Sequence, residues 1–115
     1  MLIVQRNFVV DKRGDCVNEN KYICIWYSWG DIESPIKVPE KEDAFDYMMS
    51  IALEEVKTSI VEDEEPVTIW VKENDDGEEI IVINYHYNNE FCYYKVFDNE
   101  IKANKFYDYW MNENE

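Results

Sequence analysis

His86 is the only histidine of the chain, and Cys92 follows it closely. A thiol beside an imidazole could act as a nucleophile with its base, usually with a third group orienting the pair. Strand alternation argues against that here. A hairpin turning at Asn88-Asn89 puts His86 opposite Phe91 and Cys92 opposite Tyr85, so the two side chains leave opposite faces of the sheet. A lone histidine also rules out a multi-histidine site. Glu73-Asn74-Asp75-Asp76-Gly77-Glu78-Glu79 has the outline of a calcium loop. That loop needs an acid five residues before its glycine and a bidentate acid at its last position. Those positions hold Lys72 and Ile83, so no metal or other cofactor is expected. Glu54 and Glu55 could do acid–base work, but nothing in the sequence places them in a pocket. Three scattered glycines (Gly14, Gly30, Gly77) make no phosphate loop. With no catalytic constellation, the expectation is a binding protein and not an enzyme.

What stands out is charge. The 115 residues carry a formal charge of −15, and the segment Glu40 to Glu79 holds 15 acids and three lysines, a net −12. Met1 to Pro39 sums to zero, and Ile80 to Glu115 to −3. Such regional acidity can simply be a solvated face that keeps the protein in solution. It can also select partners. A chain this acidic should avoid free nucleic acid and anionic membranes, and its natural partner is a basic protein surface.

Nine Tyr, five Phe and four Trp are many rings for a single domain of this length, so some should lie at the surface as contact residues. Cys16, Cys24 and Cys92 form no disulfide framework and read as reduced thiols of a cytoplasmic protein. The apolar run Leu2 to Val4 is too short for a signal peptide, and no run approaches a membrane span.

DNA presents about one negative charge per 1.7 Å of its axis. Carboxylates held on a folded frame could approximate such a line without the ordering cost of a disordered tail. The acids placed to do so are Asp43, Asp46 and Glu54, then Glu62, Asp63 and Glu64, then Asp75, Asp76 and Glu78. In size, charge and aromatic content the chain resembles the small acidic inhibitors that bacteriophages use against host-defence nucleases, including restriction and CRISPR effectors. That resemblance implies a nucleic-acid mimic acting in a bacterial host cell, bound in the basic groove of its target. An immunity protein or antitoxin against a basic toxin is the alternative, and a small ligand-binding domain or enzyme a second one.

The acids are to be positioned by an α+β domain of order β-β-α-β-β-β with a short terminal helix and a mainly antiparallel sheet. Leu2 to Val10 and Tyr22 to Trp29 read as strands able to pair as a hairpin, with Asp11 to Asn20 a loop and Gly30 to Val38 a connection. Pro39, suited to a first helical position, opens the main helix, which runs to Ile60. Phe45, Met48, Met49, Ala52, Val56 and Ile60 form its buried stripe. Pro66 stops it. Val67 to Lys72, Ile80 to Tyr87 and Phe91 to Phe97 read as a meander. Its first turn, Asp75-Asp76-Gly77, pairs Val71 with Ile81, Ile69 with Ile83 and Val67 with Tyr85. Val67, Ile69 and Val71 should then face the main helix. A two-residue turn at Asn88-Asn89 pairs Tyr85 with Cys92, Ile83 with Tyr94 and Ile81 with Val96. The opposite face, with Trp70, Phe91 and Tyr93, needs a cover, which the N-terminal hairpin or the helix Asn99 to Asn112 could supply.

Overall fold

A computed structural model describes residues 8–10, 16–18 and 20–113. Residues 2–7 and 11–15, on which part of the first expected strand and loop fall, lie outside the described residues. The chain is α+β. Strands β3 (Tyr22–Tyr27), β4 (Ile36–Lys37), β5 (Val67–Glu73), β6 (Glu79–Tyr85) and β7 (Glu90–Phe97) form one antiparallel sheet in the order β4-β3-β7-β6-β5. Helix α1 (Ala44–Val61) joins the two edge strands, and helix α2 (Glu100–Glu113) follows β7.

The expected N-terminal hairpin is not formed. β1 (Phe8–Val10) pairs with β2 (Cys16–Asn18), a segment read from its polarity as loop. The strand at Tyr22 has no free edge for β1, because β4 pairs along one side of it and β7 along the other. It also stops at Tyr27, two residues short of Trp29. The amide of Gly30, at φ 102°, closes a turn on the Tyr27 carbonyl. A left-handed residue here suits glycine alone.

α1 begins later than Pro39 suggests. The amide of Glu42 bonds the Pro39 carbonyl in a separate turn, and Asp43 caps the helix by accepting from the amide of Asp46 at 3.1 Å. A side-chain oxygen at this position satisfies an amide that the helix leaves unpaired. The buried stripe also differs at its far end. Ala44, Met48 and Ala52 are buried, but Ser59 replaces Ile60, which is 49% exposed. At about 100° per residue, position 59 lies about 20° from Met48 around the axis and position 60 about 120°. A scan for apolar residues passes over the serine.

The β5–β6 register is as expected, with Val71 opposite Ile81, Ile69 opposite Ile83 and Val67 opposite Tyr85. Gly77 supplies the left-handed residue at φ 77°. Val67 and Ile69 pack on the core under α1, whereas Val71, 40% exposed, lies past the helix's cover. The β6–β7 register is displaced by two residues: Tyr85 meets Glu90 and not Cys92, Ile83 meets Cys92, and Ile81 meets Tyr94. A type I′ turn needs positive φ at both asparagines, but only Asn89 has it, at 51°. His86 is drawn toward β5 instead. Its amide bonds the Pro66 carbonyl, and its ring shares a 2.6 Å hydrogen bond with the Thr68 hydroxyl. A slip of two leaves every side chain on its face, so the core is preserved.

Two cores result. Ile23, Ile25, Ile81, Ile83, Cys92 and Tyr94 pack beneath α1. On the other face, Cys24 and Phe97 pack against Ala103 of α2, with Trp26 and Phe106 alongside. The terminal helix therefore covers the β3–β7 half of the aromatic face. Trp70, in edge strand β5, stays 39% exposed with its ring edge-on to Phe91.

Cys92 is buried under α1, and His86 is exposed in the turn, so the two do not meet. Burial pushes the Cys24 thiol up to about 11 and the Cys92 thiol up to about 12, from an ordinary 9.0. Both should resist a thiol reagent at pH 8 and react only after denaturation, which a labelling count before and after guanidinium checks. Because the folded values are raised, the stabilisation is full below about pH 9 and is lost as pH rises through 11 to 12.

Candidate functional site

The predicted acids fall at two ends of α1, about 27 Å apart at 1.5 Å per residue. At the N-terminal end, Asp43 and Glu78 line one groove together with Lys21 and Asp98. This end carries its own cations. Lys95 binds Glu78 at 2.9 Å, and Lys21 and Lys102 both reach Asp98. The Lys95 ammonium beside Glu78 holds that carboxyl below its ordinary range. Asp75 and Asp76 are exposed in the adjoining turn, where the Asn74 side chain accepts from the amides of Asp76 and Glu78. Asp46 is exposed on the first turn of α1.

The C-terminal end differs. A cleft of about 730 Å³ opens between the end of α1, the β3–β4 connection and the β6–β7 turn. Six carboxylates line it: Asp31, Glu33, Glu55, Asp63, Glu65 and Glu90. Four rings line it as well: Tyr27, Trp29, Tyr85 and Tyr107. Among the described residues no Lys, Arg or His does so. A neighbouring groove of about 450 Å³ shares Tyr27, Glu33 and Glu55 and adds Glu54. Of the predicted acids, only Asp63 lies in the main cleft. Glu62 is the C-cap of α1, and Glu64, at φ 52°, turns the chain away from the helix.

The walls are fixed by hydrogen bonds. The Tyr27 hydroxyl donates to Glu33 at 3.0 Å and the Tyr85 hydroxyl to Glu55 at 3.1 Å. Burial above all, with the neighbouring carboxylates adding to it, pushes both phenols well above their ordinary value, so they remain donors. The Trp29 ring stacks on Tyr27 with centroids 4.6 Å apart, and its indole N–H donates to Asp31. Trp110 of α2 donates to the Gly30 carbonyl at 2.8 Å, holding the Trp29 turn. Across the cleft, the Tyr87 hydroxyl bonds the Glu64 carbonyl, and the amide of Glu65 bonds the carbonyl of Ser59.

Electrostatically the cleft is one-signed. The last turn of α1 has no basic residue, so the negative end of the helix dipole adds to the carboxylates around it. Acids at that helix end are disfavoured intrinsically, and a cation entering the cleft relieves both effects. No group of three acids, cysteines or histidines among the described residues converges closely enough to hold a metal ion. Carboxylates spread around a wide aromatic cleft suit an extended organic cation.

Sequence reasoning passed over Asp31, Glu33 and Glu90, weighed Glu55 only for acid–base work, and noticed Glu65 only as part of the run Glu62 to Glu65 without choosing it as a contact. They come from separate stretches of chain, and only the fold collects them. With so much charge at each end, self-repulsion should weaken the native state at low ionic strength. Moderate sodium chloride should therefore raise the melting temperature. A flat or falling trend would mean that the acids are compensated.

No described helix is long and apolar enough to cross a membrane. Comparison with protein-family models, with curated proteins and with solved structures finds no match.

Proposed function

We propose that the chain is an inhibitor that binds a basic protein surface and occupies the nucleic-acid groove of an enzyme, in the manner of the phage-encoded mimics it resembles. The observation that carries this reading is the cleft at the C-terminal end of α1, where six carboxylates and four rings meet with no base among the described residues lining it. Carboxylates supply the charge complementarity that speeds encounter and rejects acidic partners. Tyr and Trp supply buried anchors that slow dissociation. Trp29, 47% exposed on a wall held by hydrogen bonds, is such an anchor. The alternative of a small-molecule enzyme would be favoured by a deep apolar pocket, and this cleft is lined with charge.

The test is competition. The tagged chain is used to capture basic nucleic-acid-binding proteins from bacterial lysate at low salt, and each is assayed with increasing DNA or RNA. Inhibition that nucleic acid relieves supports the proposal. A bound target that still holds nucleic acid at full affinity ends the mimicry idea and leaves an aromatic-surface binder as the better reading.

A further inference from the structure

We infer that the cleft is a receptor for a single arginine side chain of the partner, its guanidinium stacked on Trp29 and paired with Glu33 and Glu55. The inference deepens the reading of the chain as a binder of basic proteins and rests on it.

The first support is how the two carboxylates are held. Tyr27 occupies Oε1 of Glu33, and Tyr85 occupies Oε1 of Glu55. Each acid is thereby oriented before a ligand arrives and keeps its Oε2 for another donor. A preoriented acceptor loses less freedom on binding. The second support is the wall. Trp29 and Tyr27 stack with an interplanar angle of 23°, and the exposed indole offers a flat surface beside the acids. A guanidinium is planar and weakly hydrated, presents several donors in a fixed fork and stacks on aromatic faces, whereas an ammonium is a compact, strongly hydrated point charge. The third support is independent of the charges. Ser59 lines the cleft and is only 2% exposed. Its hydroxyl is not sealed from the cleft, so it can accept a hydrogen bond from a ligand's donor there.

The probe is N-acetyl-arginine amide, titrated into the whole chain at fixed moderate salt while the indole N–H resonance of Trp29 is followed by NMR. The Trp29→Phe variant assigns that resonance. Comparison probes are N-acetyl-lysine amide, the uncharged N-acetyl-citrulline amide and spermidine. We expect saturable shifts with a dissociation constant of about 1–10 mM for the arginine probe, in keeping with so small a ligand. Binding should be at least about fivefold weaker for lysine and absent for citrulline. Glu33→Gln with Glu55→Gln should weaken arginine about tenfold or more without changing the melting temperature appreciably, while Asp75→Asn with Asp76→Asn should change it less than about twofold. Equal shifts from citrulline, a preference for lysine or spermidine, or indifference to the Glu33 and Glu55 changes would each overturn the inference. The outcome is separable from that of the proposed function. Arginine binding in a chain that inhibits no nucleic-acid-binding enzyme removes the function and keeps the receptor. Inhibition that survives Glu33→Gln with Glu55→Gln removes the receptor and keeps the function.

Discussion

Reversing Glu55, Asp63 and Glu65 to Lys together should slow association with the basic partner by about 100-fold at low salt and flatten the salt dependence of what remains. Reversing Asp75, Asp76 and Glu78 changes the net charge by the same amount, yet should slow association by less than about threefold. The two triples differ in place. The first triple lines a cleft with no described base among its lining residues. The second sits in and beside a turn where Glu78 is already bound to Lys95. Screening over about 8–10 Å confines each cluster's influence to its own end of a helix about 27 Å long. Stopped-flow association across a salt series, with melting temperatures confirming that both variants fold, is the measurement. Equal losses would mean that the partner lies along the whole acidic length, as a continuous mimic of nucleic acid requires. No loss from either would move the contact to the aromatic face around Trp70.

Ile83→Ala should cost about 3 kcal/mol, within the 2–5 kcal/mol usual for such truncations, and lower the melting temperature by about 10 °C. Ile83 is fully buried in β6, with Ile69 opposite it on β5 and Cys92 on β7. It belongs to the cluster under α1, so the lost methyl groups leave a cavity bounded by sheet on both sides and helix above. Val71→Ala is the contrast. Val71 is 40% exposed at the sheet edge and should cost less than about 1 kcal/mol. Guanidinium unfolding of both variants decides the matter. Similar costs would mean that the edge strand packs as tightly as the centre.

The fold was legible where a residue leaves the backbone little choice. Gly77 fixed the β5–β6 turn and with it a whole register. The Asn88-Asn89 pair admits several turns, and the one adopted depends on bonds from residue 86 to Pro66 and Thr68, which no local pattern announces. Apolar patterning survived that error because it reads faces, and a slip of two keeps faces. Periodicity placed α2 within a residue at each end, since Ala103, Phe106, Tyr107 and Trp110 have helical spacing. The partners of Tyr22–Tyr27 were not legible. A strand apolar on both faces says that it is central but not which strands flank it.

The cleft was hidden by the way charge is summed along a chain. Met1 to Pro39 adds to zero, but the fold sends Asp31 and Glu33 to the cleft and Lys21 to Asp98 at the other end. Neutral by segment is then acidic by location. The densest run, Glu62 to Glu65, drew notice in sequence, yet only Asp63 and Glu65 of it reach the cleft. Glu90, flanked by asparagine and phenylalanine, gives no signal at all until β7 begins there.

The bond from the Trp110 indole to the Gly30 carbonyl crosses eighty positions of sequence. It makes the last turns of α2 a latch on the loop that presents Trp29. Helix ends fray, opening and closing at little free-energy cost. Each opening here releases the aromatic rim. Affinity at the cleft and winding of the final helix thus form one equilibrium: a ligand that needs Trp29 in place will protect the amides near Trp110 from exchange, and a change that unwinds α2 will weaken binding without touching a single contact residue.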